Sequence, residues 1–144
     1  MIQQRHFTIL ATALIATMLS GCVDQVTADQ KMAKGCKAGI ESMIEPREIM
    51  EIQNTRYDYE DVKGEGLHRV IIIEAVEKDG WLELEKEYRC LFAEQWGLLR
   101  ATHNAALIQL NIDGDIIGKK NGKIHGSLDD FMTLTEKVKM SMSR

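Results

Sequence analysis

The 144-residue sequence has little proline, little cysteine and no long apolar run. It contains one proline and three cysteines, with 44% hydrophobic and 28% charged residues. This composition is typical of one ordinary globular domain and excludes a disordered tail or a repeat array. No apolar stretch reaches the roughly 18–20 residues that a membrane-spanning helix requires. The formal net charge is −4 and no concentrated basic surface is visible, so we expect no nucleic-acid partner.

The first 21 residues have the pattern of an export signal. A short basic start at Arg5 and His6 precedes the apolar stretch Phe7–Leu19. That stretch, about 13 residues long, suits the core of a signal peptide better than a membrane span. No acidic residue occurs before Asp24, as a signal of this kind requires.

The run Leu19-Ser20-Gly21-Cys22 resembles the lipobox of bacterial lipoproteins. The resemblance implies that the Cys22 thiol receives a diacylglyceryl group, that cleavage follows Gly21, and that the new amino terminus is acylated. Several acyl chains anchor a protein stably where one chain does not. We therefore expect a chain anchored in the bacterial cell envelope and facing the periplasm, and Val23 directly after the cysteine favours the outer over the inner membrane. An ordinary secretory signal with a chance cysteine is the alternative.

This interpretation divides the chain into three parts. Residues 1–21 are a signal that is removed, residues 22–28 are a lipidated tether, and residues 29–144 are a single domain. The mature chain of about 120 residues is long enough to bury about two-thirds of its unfolded surface. Because the tether spans only about 20 Å when fully extended, we expect the domain to lie close to the lipid headgroups.

The two remaining cysteines, Cys36 and Cys90, are predicted to form a disulfide. Exported chains meet an oxidising compartment, where paired cysteines are joined. One apolar stripe recurs every four residues along a predicted helix at Met32, Cys36, Ile40 and Ile44. A second pattern alternates along a predicted strand at Leu82, Leu84, Tyr88, Cys90 and Phe92. Packing the helix stripe on the strand face would bring the sulfurs together, and two buried free thiols are the alternative.

Periodicity and turn signals predict an α+β fold, in which an antiparallel sheet of about five strands is packed by an N-terminal and a C-terminal helix. The helices are expected over about 28–44 and after Ser127, the second with an inner stripe at Leu128, Phe131, Thr135, Val138 and Met142. The strands are expected over about 51–61, 67–78, 81–93, 104–112 and 115–119. Pro46–Met50 is predicted to allow one further helical turn. Residues 94–103 fit either a loop or a short helix.

The sequence carries no recognisable catalytic set, metal site or cofactor motif. His68, His103 and His125 have no metal-ligand spacing, and the segment 111–115 fails the calcium-loop pattern in both registers. The acidic side chains Glu83, Glu85 and Glu87 share one strand face, where a solvated surface is favoured over glycosidase-like carboxylates. A cluster of His103, His125 and acidic residues in one cleft would instead indicate an enzyme.

Trp81 and Trp96 are the candidate interaction residues, because both are expected near the rim of the sheet and exposed aromatics commonly anchor interfaces. We therefore expect a non-enzymatic module that binds an envelope protein or a cell-wall polymer, or that has a structural role. The alternative is a small-ligand carrier with a pocket between helix and sheet. In architecture the mature domain resembles small envelope lipoproteins of unassigned role.

Overall fold

The computed structural model describes residues 21–144, so all of the predicted signal except Gly21 lies outside the described residues. One helix, six strands and a second helix follow one another along the chain: α1 Gln25–Ile44, β1 Glu48–Val62, β2 Gly66–Asp79, β3 Leu82–Trp96, β4 His103–Ile112, β5 Asp115–Lys120, β6 Lys123–His125 and α2 Leu128–Met142. The strands form one antiparallel sheet in sequential order. The predicted α+β class is confirmed. A sixth strand was not predicted, because three residues are too few to display an alternating pattern.

Helix α1 begins at Gln25, three residues earlier than predicted. The Asp24 side chain caps it by accepting a hydrogen bond of 2.7 Å from the Thr27 amide. Residues 25–28, which were expected in the tether, therefore belong to the helix. The predicted stripe of Met32, Cys36, Ile40 and Ile44 is fully buried.

The predicted disulfide between Cys36 and Cys90 is confirmed. Its sulfurs are 2.06 Å apart and the two Cα atoms 5.9 Å apart, a separation that a disulfide spans readily. It joins α1 to the helix-facing side of β3, where Tyr88 and Phe92 are also buried. The covalent bond therefore passes through the centre of the core.

The two helices pack against each other at glycines of α1. A Cβ atom added at Gly39 would lie 2.8 Å from the side chains of both Leu134 and Val138. Ser127 caps α2 as predicted, accepting a hydrogen bond from the Asp130 amide. The predicted inner stripe is wrong at Leu128, which is exposed, whereas Leu134 is fully buried. Because the helices are antiparallel, Leu128 lies beyond the end of α1 and has no helix to pack on.

Strands β2 and β3 extend beyond the layer of helices. Leu82 and Leu84 lie on the same face as Cys90, as predicted, yet they are 55% and 43% exposed. The prediction that they are buried is wrong, because alternation assigns a residue to a face of the sheet and does not reveal how far the covering helix extends.

The predicted helical turn at Pro46–Met50 is also wrong, since β1 begins at Glu48. The backbone of Glu48 lies opposite Lys78, so these residues lengthen the β1–β2 hairpin. Two irregularities in register, between Ile49 and Glu51 and between Ile52 and Asn54, interrupt this edge strand. Such bulges and charged side chains protect an edge from pairing with other chains.

Candidate functional site: two ends of one sheet

The antiparallel strands give the molecule two chemically different ends. The β2–β3 turn lies at one end, which we call the hairpin tip. The β1–β2 and β3–β4 connections lie at the other, which we call the anchor end because it includes Cys22. The fourteen residues of β2 separate the ends by about 40 Å at roughly 3.3 Å per residue.

At the anchor end, Cys22 is attached directly to the folded domain. Its Sγ atom lies 3.6 Å from the Leu99 carbonyl oxygen, and the Val23 amide donates a hydrogen bond of 2.9 Å to the Arg100 carbonyl. The Arg100 guanidinium also donates to Gln25 Oε1 at 3.1 Å. Hydrogen bonding from Thr27, assisted by the charge of Arg100, lowers the pKa of Asp24. Of the described residues, only the four from Gly21 to Asp24 precede α1.

The connection between β3 and β4 presents two leucines to the outside. Strand β3 continues to Trp96, and a three-residue turn at Leu98–Arg100 with non-helical backbone angles follows, so residues 94–103 form a strand end and a loop rather than a short helix. Leu98 and Leu99 are 86% and 83% exposed. Leu99 has a φ of 53° and Arg100 a φ of 57°, a left-handed conformation that non-glycine residues rarely adopt. The exposure of Leu98 and Leu99 was not predicted, since two adjacent leucines without periodicity give no signal in a sequence.

Trp96 packs against the domain and is only partly exposed. The Arg100 guanidinium lies 3.9 Å from the centre of its indole ring, and the His103 ring lies 4.4 Å away on a tilted plane. The indole also borders the buried core. Its position indicates that Trp96 supports residues Gly97–Ala101, which we call the leucine loop, rather than offering a free binding surface.

A buried ion pair ties α1 to β2 near the anchor end. Arg69 binds Asp29 through two hydrogen bonds, of 2.9 and 2.5 Å, and its guanidinium lies 4.3 Å from the centre of the Tyr59 ring. The hydrogen bonds that Arg69 donates to Asp29 raise the pKa of Arg69, while burial raises the pKa of Tyr57. The first shift favours the charged form of Arg69 and the second the neutral form of the Tyr57 phenol.

The structure does not bring the predicted histidines together. His103 is buried and bonds to Glu94 at 2.9 Å, whereas His125 is exposed on β6. His68 is buried near the β1–β2 turn and contacts the Gly66 carbonyl. Within residues 21–144 no three histidine, cysteine or acidic side chains are arranged to hold a metal ion.

At the hairpin tip, Trp81 is 93% exposed. Leu82 and Leu84 follow it on the uncovered, helix-facing side of β3, where the exposed Asp79 lies opposite Leu82. The exposed carboxylates of Glu83 and Glu85 lie on the other face of the strand. Exposure of Trp81 agrees with its choice as a candidate interaction residue. The tip thus combines an aromatic side chain and two leucines with one neighbouring carboxylate on the same side.

A second concavity lies between α2 and β4. It is an open groove of about 470 Å³, with Leu107, Val138 and Met142 along its floor and Lys31 and Lys139 at its rim. A small apolar molecule with an acidic group would match this lining.

Among the described residues, no helix has both the length and the apolar content needed to cross a bilayer.

Comparison with known proteins adds no assignment to these surfaces. No protein-family model, no curated protein and no solved structure matches this chain.

Proposed function

We propose that this protein is a lipid-anchored lipoprotein of the bacterial cell envelope, held at Cys22 and facing the periplasm, with the outer membrane favoured. In this proposal it is a non-enzymatic module that binds a partner protein through the hairpin tip at Trp81. The observation that carries the proposal is the placement of Cys22 and Trp81 at opposite ends of one rigid sheet. If Cys22 holds one end of the sheet at the membrane, Trp81 at the other end is directed towards proteins in the periplasm.

The hairpin tip has the side chains that supply most binding energy at interfaces. Tryptophan is enriched among such residues because its ring has a large apolar area and few rotatable bonds. In the free protein Trp81 loses almost none of that area to contacts. Covering Trp81 and Leu82 together with a partner would stabilise a complex by a few kcal/mol, at about 25 cal/mol per Å² of apolar area.

The surroundings of Trp81 favour a protein over a cell-wall polymer. Stacking of a sugar ring requires the indole alone, and the hydroxyl groups of a polysaccharide would make no favourable contact with Leu82 and Leu84. A partner with an apolar pocket would match the leucines, and a basic side chain beside that pocket would match the carboxylate of Asp79.

The anchor is tested by mass spectrometry of the protein purified from a bacterial membrane fraction. We expect a chain that begins at Cys22 and carries the added mass of a diacylglyceryl group and an amide-linked acyl chain. The Cys22→Ser variant should leave the membrane fraction. An unmodified Cys22 on a product that remains outside the membrane contradicts this part of the proposal.

The binding surface is tested by photo-crosslinking in living cells, with a benzophenone side chain in place of Trp81. We expect one adduct of defined mass. The same group in place of Met132, which is 61% exposed on α2, is the control and should give no adduct. Identical adducts from both sites, or none from either, contradict partner binding at the tip.

The groove between α2 and β4 supports a second candidate, a carrier for a small apolar ligand. Native mass spectrometry of the purified protein would detect such a ligand, and a Thr135→Asp variant, which changes a partly exposed residue of the groove, should lose it. A protein of bare polypeptide mass, also after incubation with fatty acids, contradicts the carrier function.

A further inference from the structure

The leucine loop, residues Gly97–Ala101, exposes apolar side chains that no other part of the described protein covers. Leu98 and Leu99 each have more than four-fifths of their surface exposed, although a turn of this length would normally direct one side chain inwards. The left-handed backbone at Leu99 and Arg100 is energetically unfavourable for residues that carry a Cβ atom. The backbone is therefore strained in a conformation that projects both leucines outwards.

The same loop is fixed to the segment that follows Cys22. The Arg100 carbonyl accepts from the Val23 amide, and the Arg100 guanidinium bonds Gln25 and stacks on Trp96. Cys22 Sγ is 3.6 Å from the Leu99 backbone. An acyl chain attached at this sulfur would start next to the backbone of the leucine loop, and the contacts of Arg100 hold the loop beside Cys22.

Other side chains of the anchor end have the composition of a membrane-facing surface. Val26 and Leu67 are exposed apolar residues on the first turn of α1 and the first residues of β2. The basic turn at Lys120–Lys123 is drawn towards this end by a 2.7 Å ion pair between Lys119 and Glu65. Basic side chains close to a bilayer interact favourably with anionic headgroups.

We propose that Leu98 and Leu99 enter the bilayer beside the acyl chains of Cys22 and hold the domain upright, with the hairpin tip directed away from the membrane. This inference rests on the proposed lipid anchor. A bilayer is the occupant that the geometry favours, because a protein partner at this loop would have to share its space with the acyl chains.

The test uses single-tryptophan variants on vesicles containing lipids with brominated acyl chains, which quench indole fluorescence only at short range. Residues 22–144 contain the disulfide and every side chain of the buried core, and Cys22 is the free thiol. Cys22 is coupled to a maleimide headgroup lipid, so the vesicle experiment does not depend on acylation in the cell. In the W81F/W96F/L98W variant we expect emission to fall roughly two-fold. In the matched W96F variant, only Trp81 remains and its emission should stay unchanged.

Two results would overturn the inference. Unquenched emission of the L98W variant means that the loop stays outside the bilayer. Equal quenching of L98W and Trp81 means that the domain lies flat. Failure of acylation in cells is detected separately by the mass of the purified protein, so it contradicts the anchor and leaves the result of the coupled vesicles valid.

Hydrogen exchange of the unsubstituted sequence avoids any effect of the tryptophan changes. Amides of residues 97–101 should exchange several-fold more slowly after Cys22 is coupled to vesicles. Leu99→Asn is the matched variant, because asparagine tolerates a positive φ and should leave thermal stability unchanged or raised. The same variant should weaken the vesicle-dependent protection. Full protection in Leu99→Asn would contradict insertion of the leucine.

Discussion

Glu77 shows how a single carboxylate is accommodated in the core. It lies on the helix-facing side of β2 and is fully buried. The Tyr88 hydroxyl donates a short hydrogen bond to one of its oxygens, and Arg47 binds the other at 2.8 Å. A buried charge is stable only with such partners, since desolvation otherwise costs several kcal/mol. Arg47 lies in the connection after α1, so Glu77, Tyr88 and Arg47 form the boundary of the core at the end of that helix.

Replacing Tyr88 with phenylalanine removes the donor and leaves a carboxylate oxygen without its partner. We expect the free energy of unfolding to fall by about 1–3 kcal/mol, measured by urea denaturation. Tyr59→Phe is the matched control, because it keeps the ring that lies over Arg69 and removes a half-exposed hydroxyl. Equal effects of the two substitutions would contradict a special role for the bond to Glu77.

Stability at high pH should depend on the same tyrosine. Burial, and next the interaction with Glu77, raises the pKa of Tyr88 above its ordinary value of about 10. A raised pKa means that the folded state favours the neutral phenol. Its contribution is complete below pH 10 and is lost as the pH rises towards the folded-state pKa. The free energy of unfolding should therefore decrease more steeply with pH above 10 for the native protein than for Tyr88→Phe. Parallel curves of the two proteins would exclude this linkage.

At the scale of elements, local periodicity predicted most of the framework. The helix stripe through Cys36 and the strand face through Cys90 were sufficient to predict the disulfide, because burial of both patterns leaves the sulfurs facing each other. The Asn and Gly turn signals located most strand ends within a few residues. These features depend on neighbouring residues along the chain, which the sequence displays directly.

The predictions that were wrong concern how far the layer of helices extends over the sheet. Leu82 and Leu84 follow the same alternation as Tyr88, yet only Tyr88 is covered by a helix. Leu128 continues the stripe of α2 but lies past the end of α1. Leu98 and Leu99 expose apolar area because of a tertiary arrangement with Cys22, which is 77 residues from Leu99. Where helices end in space depends on packing between distant segments, which no local pattern records.

Breaking the disulfide should lower stability without changing the fold. The bond closes a loop between positions 54 residues apart, which corresponds to about 4 kcal/mol in the chain-entropy model. We expect the Cys36→Ala/Cys90→Ala variant to unfold at clearly lower temperature. Adding a reductant should affect the native protein alone, and an unchanged melting temperature in both experiments would contradict the contribution of the disulfide.

Close packing of the two helices requires the absence of a side chain at Gly39. Alanine is a better helix former by about 1 kcal/mol, so propensity alone predicts a gain for Gly39→Ala. The added Cβ would lie 2.8 Å from Leu134 and Val138, and overpacking of this kind costs about 1–3 kcal/mol. We expect a net loss of stability in thermal denaturation. Thr133→Ala on the exposed side of α2 is the control and should produce a small gain.

For the whole molecule, the important finding is that almost no tether exists between Cys22 and the domain. The sequence suggested seven residues of free chain, whereas α1 begins at Gln25 and the Val23 amide is already bonded to Arg100. A flexible tether would let the domain tumble above a membrane. In the proposed lipoprotein, a direct attachment would instead transmit the position of the anchor to the hairpin tip through the length of the sheet.

Inserting Gly-Ser-Gly-Ser-Gly-Ser between Val23 and Asp24 tests this mechanical role. The insert adds about 20 Å of reach and leaves the core and the disulfide intact, so we expect little change in thermal stability. Vesicle-dependent protection of residues 97–101 should fall, because the loop no longer has to follow Cys22. Crosslinking from position 81 should weaken as well, since the height of the tip becomes variable. If the insertion leaves protection and crosslinking unchanged, the short attachment does not determine how the domain is held.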